Sequence, residues 1–130
     1  MGTYTYFWFT FILQKLDDNA LEILRYMVDI TTEEPENLPN HPFFENIRWE
    51  KVLSYEGHSD LMIQGTEWSS GFEPSGIYFL HGNSWIKDYD DLIDLFFDWI
   101  HPYTKHGTAF SLWESNEADV IQRYPREEEE

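Results

Sequence analysis

IYFLHGNSWIKDYDDLIDLFFDWIHPY, residues 77–103, is the stretch from which the rest of the chain is read. It runs strand, short turn, helix. Ile77–Leu80 opens a strand that extends toward Trp85 with a kink at Gly82. From about Asp88 to His101 the apolar positions Leu92, Ile93, Leu95, Phe96, Phe97, Trp99 and Ile100 cover roughly 200° of a helix at ~100° per residue, and Pro102 ends it. Asp90, Asp91, Asp94 and Asp98 fill the narrow stripe that remains.

Working outward, the first thirty residues look like a weaker copy. Thr3–Leu13 reads as a strand that is apolar on both faces, so it is either covered on both sides or partnered on the second. Asp17 or Asp18 offers an N-cap, and Ala20, Leu21, Ile23, Leu24, Met27 and Val28 then fall on one side of a helix. Residues 30–42, with three prolines, stop that helix and form a surface connection. Arg48–Glu56 and Asp60–Thr66 read as strands joined at Gly57-His58-Ser59, and residues 67–76 as a loop carrying Trp68 and Phe72. Thr108–Glu114 and Asp119–Tyr124 form a second hairpin around Ser115-Asn116-Glu117.

Sliding the chain by about seventy residues aligns the halves in order. Tyr6-Phe7 meets Tyr78-Phe79, Asp18-Asn19 meets Asp90-Asp91, and Leu53–Glu56 meets Leu112-Trp113-Glu114. The expected fold is α+β: duplicated β-α-β-β units, pseudo-repeats 3–66 and 76–124, forming a mixed or antiparallel sheet of about six strands with two helices on one face. Residues 1–126 are expected as a single domain and 127–130 as a disordered acidic tail. The second sheet face would have no helix over it. Tyr4, Tyr6, Trp8, Tyr78 and Trp113 are expected there, as an exposed aromatic patch or covered by a second copy in a homodimer.

Charge limits the function classes. Asp and Glu outnumber Lys and Arg by 25 to 8, for a net charge of −17. Such a chain is repelled by nucleic acid and anionic membranes, so neither is expected as a direct partner, and a basic protein is. With no cysteine, thiolate catalysis and cysteine-ligated zinc are excluded. The N-terminal apolar run lacks early Lys or Arg and a small-residue cleavage site, and no run is long enough to span a bilayer; a cytoplasmic location is expected. His41, His58, His81, His101 and His106 are scattered without HxH or HExxH spacing, and no phosphate loop or nucleophile–base motif can be quoted. No catalytic residue, metal ligand or cofactor is therefore expected.

His41–Phe44 (HPFF), Arg48-Trp49 and Lys87–Tyr103 resemble a family of small acidic bacterial and phage proteins whose second helix ends in W-I-x-P-Y, a family with no assigned activity. The resemblance implies a repeated strand–helix unit and a bacterial or phage setting, with no catalytic residue. This chain departs from the pattern at Gly65–Gly76, which reads as loop.

Taken together, these features suggest a non-enzymatic protein-binding inhibitor of the phage anti-defence type, occluding a nucleic-acid-binding surface of a nuclease or defence effector. In that role Asp90, Asp91, Asp94 and Asp98, with Glu33, Glu34 and Glu36, would imitate a row of phosphates. Trp68 and Phe72 would be the aromatic anchors. As a solvated helix face the stripe needs no such role. The alternatives are a toxin-neutralising immunity protein, or a small-ligand binder with a pocket lined by Tyr78, Trp85 and Trp113.

Overall fold

The computed structural model describes residues 4–55, 57–68, 74–87, 91–113 and 120–125, with the backbone alone described in 63–68 and 74–76. Its five strands are β1 (Thr5–Gln14), β2 (Ser59–Trp68), β3 (Pro74–Ile86), β4 (Thr104–Trp113) and β5 (Val120–Tyr124). They form one sheet in the order β2-β3-β1-β4-β5, antiparallel at every junction. The helices α1 (Asp18–Met27) and α2 (Leu92–Ile100) connect β1 to β2 and β3 to β4.

Each crossover skips one strand, so the two β-α-β units interleave rather than lie side by side. Order and direction of the first four strands are those of the split β-α-β, or ferredoxin-like, arrangement. The fifth strand extends it beyond β4.

Both helices pack on the face of β1 that carries Phe7, Phe9, Phe11 and Leu13, all buried. On α1, Ala20, Ile23, Leu24 and Met27 are buried at helical spacing. Its N-cap is Asp17, whose carboxylate accepts from the Ala20 amide at 2.7 Å. On α2, Phe97 meets Phe7 (5.9 Å between ring centroids) and Phe11 (6.0 Å). Aromatic contact then continues from Phe96 to Phe43 (5.6 Å), and from Trp99 to Phe44 (5.2 Å) and on to Trp49 (5.1 Å). The long connection is thereby tied into the core through 3₁₀ turns at Pro42–Glu45 and Trp49–Lys51.

Among the described residues the expected sixth strand, Arg48–Glu56, does not form: residues 49–55 are a 3₁₀ turn followed by further turns. Trp49, Val52 and Leu53 are its buried residues. Spacings of three and four put them on one side of a helical turn, whereas a strand would have faced Trp49 with Lys51 and Tyr55, which are exposed. The first half is therefore not a β-α-β-β unit. Residues 67–68 and 74–76, expected as loop, continue the β2–β3 hairpin. α2 begins later than expected because Asp91, at φ 59°, is left-handed and cannot continue a right-handed helix toward the N-terminus. The expected tail 127–130 and the turn around Asn116 lie outside the described residues.

Candidate functional site

Strand alternation sends the even-numbered residues of β1 to the face opposite the helices. Cross-strand register then assembles that face in rows. Tyr6 lies between Leu112 and Trp85, and Trp8 between Phe110 and Asn83. Thr10 lies between Thr108 and His81, with Asp60 beyond. Ile12 lies between His106 and Phe79, with Met62 beyond.

The first two rows are an aromatic strip. Tyr6 packs on Trp85 at 4.7 Å and on Trp8 at 5.2 Å, and Trp8 stacks on Phe110 at 5.9 Å. The strip stays in reach of solvent, with Trp85 37% exposed and Tyr6, Trp8 and Phe110 half-buried; in the Ile12 row Met62 is 48% exposed and Phe79 half-buried. Among the described residues no helix lies on this face. The polar row beside it holds a carboxylate between two imidazoles: Asp60 is 3.2 Å from His58 Nε2 and 3.8 Å from His81 Nε2. His81 in turn lies against Phe79 at 4.8 Å.

The residues expected to bind a partner are spread more widely. Asp91 and Asp98 are exposed on the helix layer, whereas Asp94 is half-buried and paired with Arg123 at 3.4 Å. Arg123 also donates to Ser111 Oγ at 3.0 Å, so Asp94 helps fasten β5 to α2. Glu33, Glu34 and Glu36 are exposed in the connection after α1. Asp98 lines a cleft of about 360 Å³ with Asp17, Tyr103 and residues 39–41, the far end of that connection. Asp94 and Asp98 therefore lie on the helix layer, away from the aromatic strip. Trp68 ends β2 with its backbone alone described; Asp90 and Phe72 lie outside the described residues.

Acid also surrounds two tyrosines of the helix layer. Burial and the carboxylates of Glu50, Glu34 and Asp29 push the Tyr26 phenol above its ordinary value, its hydroxyl donating to Glu50 at 3.1 Å. Burial, then Asp17, does the same for Tyr103, whose hydroxyl donates to Asp17 at 3.2 Å.

Of the aromatics expected on the open face, Tyr6 and Trp8 are there. Tyr78 pairs with Leu13 and Trp113 with Thr5, both buried residues of the helix-facing set, and Tyr78 packs on the core. Tyr4 stacks with Tyr55 at 6.4 Å beyond the end of β1. The expected pocket of Tyr78, Trp85 and Trp113 does not form, because Tyr78 and Trp113 register with opposite ends of β1 and Trp85 lies on the other face. Phe110 and Leu112 of the strip, and His81 and Phe79 in the rows beside it, are not among the residues expected on this face. Their parity relative to β1 was the available signal.

Among the described residues no group of three or more His, Asp or Glu side chains is placed to hold a metal ion. Nor is any helix among them long and apolar enough to cross a membrane. Comparison of the chain with protein-family models, with curated proteins and with solved structures gives no match. The resemblance to small acidic bacterial and phage proteins stands on its quoted motifs alone.

Proposed function

We propose that this protein is a non-enzymatic inhibitor that binds a basic protein through the uncovered aromatic face of its sheet. The observation that carries the reading is the contiguous strip Trp85–Tyr6–Trp8–Phe110, held rigid by three strands and left open to solvent. Tyr and Trp on a rigid surface supply contact area at low entropic cost, and few such residues dominate an interface.

Charge selects the occupant. At −17, two copies repel one another, whereas a basic protein is attracted and steered. The acid of the helix layer, including Asp91, Asp98, Glu33, Glu34 and Glu36, contributes to that field from behind the contact. In a phage setting the partner is a nuclease or other defence effector, and the inhibitor occludes its nucleic-acid surface; in an immunity setting the partner is a toxin. The contact chemistry is the same.

The test is capture on immobilised protein at low and high salt, with the retained protein identified by mass spectrometry. A basic protein bound one to one, weakened by salt and lost with the W8S/W85S/F110S variant, supports the proposal. Retention that is indifferent to salt or equal on that variant overturns it.

A further inference from the structure

Three of the chain's eight Lys and Arg converge on one pocket. Arg48, Lys51 and Lys87 line a cavity of about 210 Å³ together with Tyr4, Tyr55, Ile86 and Leu92. The segments that build it are distant in sequence: the lead into β1, the 3₁₀ turn at Trp49–Lys51, the end of β3 and the start of α2. Ile86 and Leu92, both buried, give it an apolar floor. Tyr4 and Tyr55 stand nearly parallel, 12° apart, and the Lys87 ammonium lies 5.2 Å from the Tyr4 ring centroid.

In a chain with 25 acidic residues, a lysine has many carboxylates to pair with. Among the described residues, no carboxylate lies within ion-pair distance of Lys51 or Lys87. Two such cations and Arg48 around one cavity concentrate positive charge where the chain as a whole is negative. The first turn of α2 adds its partial positive charge at Leu92, partly offset by the exposed Asp91 before it. Charges more than about 10 Å away are screened, so distant carboxylates weigh little inside the cavity.

We infer that this pocket is a binding site for a small phosphate monoester. A dianionic phosphoryl group suits the two point-charge ammoniums of Lys51 and Lys87, with the Arg48 side chain on the same wall. The tyrosine walls and apolar floor suit a single ring attached to it. The volume lies below the roughly 300–1,000 Å³ typical of drug-sized ligands, which sets the ligand at one sugar or one ring and excludes a dinucleotide. The site stands apart from the proposed docking face and does not depend on it.

Amide chemical shifts of the ¹⁵N-labelled protein, titrated with ribose 5-phosphate, inorganic phosphate and ribose, test the inference. Ribose 5-phosphate should give saturable shifts centred on Lys51, Tyr55, Lys87 and Leu92, inorganic phosphate weaker ones at the same amides, and ribose none. The K51A/K87A variant, which removes no buried residue, should lose at least tenfold in affinity for ribose 5-phosphate while its melting curve stays unchanged. An absence of saturable shifts up to about 10 mM overturns the assignment, as do shifts of equal size and affinity in that variant. Shifts from ribose alone would likewise exclude a phosphate site.

Discussion

Gly107→Ala tests how the sheet and α2 lock together. Gly107 lies opposite Phe11 in the β1–β4 ladder, and a Cβ there would sit 2.5 Å from Phe11 Cε1 and closer still to Cδ1. Carbon atoms pack best at about 3.5–4.0 Å, so the ring must retreat by at least ~1 Å. It has nowhere to go. Phe11 is fully buried, with Phe96 at 6.3 Å, Phe97 at 6.0 Å and Tyr124 at 5.2 Å around it.

Overpacking of this kind costs about 1–3 kcal/mol, and the boxed ring places Gly107→Ala near the top of that range, about 2.5 kcal/mol. Loss of glycine's freedom in the unfolded chain returns about 0.5 kcal/mol, leaving about 2. Phe11→Leu alone should cost about 2 kcal/mol in lost burial and packing. Together they should cost much less than the sum, because the added methyl occupies space the ring has vacated; a coupling of about 1.5 kcal/mol is expected. Urea denaturation followed by far-ultraviolet circular dichroism measures all four corners of the cycle. Additivity within ~0.5 kcal/mol, or a Gly107→Ala cost below that, would refute the packing argument.

Asp17→Ala removes the α1 cap and the acceptor of Tyr103, and should cost about 1–2 kcal/mol by denaturation. The same change should bring the Tyr103 titration closer to the ordinary phenol value, read by ¹³C shifts of labelled tyrosine. Tyr26 and Tyr103 hold their protons more tightly folded than unfolded, so their contribution is fully present below pH 10.0 and is lost as pH rises beyond it. Stability of the Y26F/Y103F variant should fall less steeply over that alkaline range. Arg123→Gln, which frees Ser111 and Asp94, should cost about 2 kcal/mol, whereas Glu36→Lys in the exposed connection after α1 should change stability by less than about 0.5 kcal/mol. Equal costs would remove the distinction drawn between a fastening and a solvated carboxylate.

What the sequence made legible follows the regular elements. The Thr3–Leu13 run was readable as a strand because its odd positions Phe7, Phe9, Phe11 and Leu13 pack under the helices, while Tyr6, Trp8 and Ile12 among the even positions are apolar on the open face. The Asp17 cap and the apolar arc of α2 were readable because each is local. Arg48–Glu56 misled because Val, Leu and Tyr suit a strand by composition, while the spacing of Trp49, Val52 and Leu53 favoured a single helical turn. The interleaving of the two β-α-β units was hidden, since strand order is set by packing rather than by any residue pattern.

Sites suffered for the same reason. The acidic stripe stood out because its residues are neighbours on one helix, yet Asp94 spends its charge on Arg123, a residue of another strand. Conversely, Tyr4, Arg48, Lys51 and Lys87 share no sequence neighbourhood, and only the fold brings them together. The aromatic strip lies between these cases: Tyr6 and Trp8 were foreseen, whereas Trp85 and Phe110 needed the register.

The most direct measurement is the affinity of the captured basic partner for W8S/W85S/F110S relative to the unaltered protein, with folding of the variant verified by its melting curve. Aromatic anchors at the centre of an interface are worth about 2 kcal/mol or more each, so the account predicts a loss of at least about thirtyfold. Affinity retained within about twofold, a difference of less than 0.5 kcal/mol, would contradict the claim that the open face of the sheet is the docking surface.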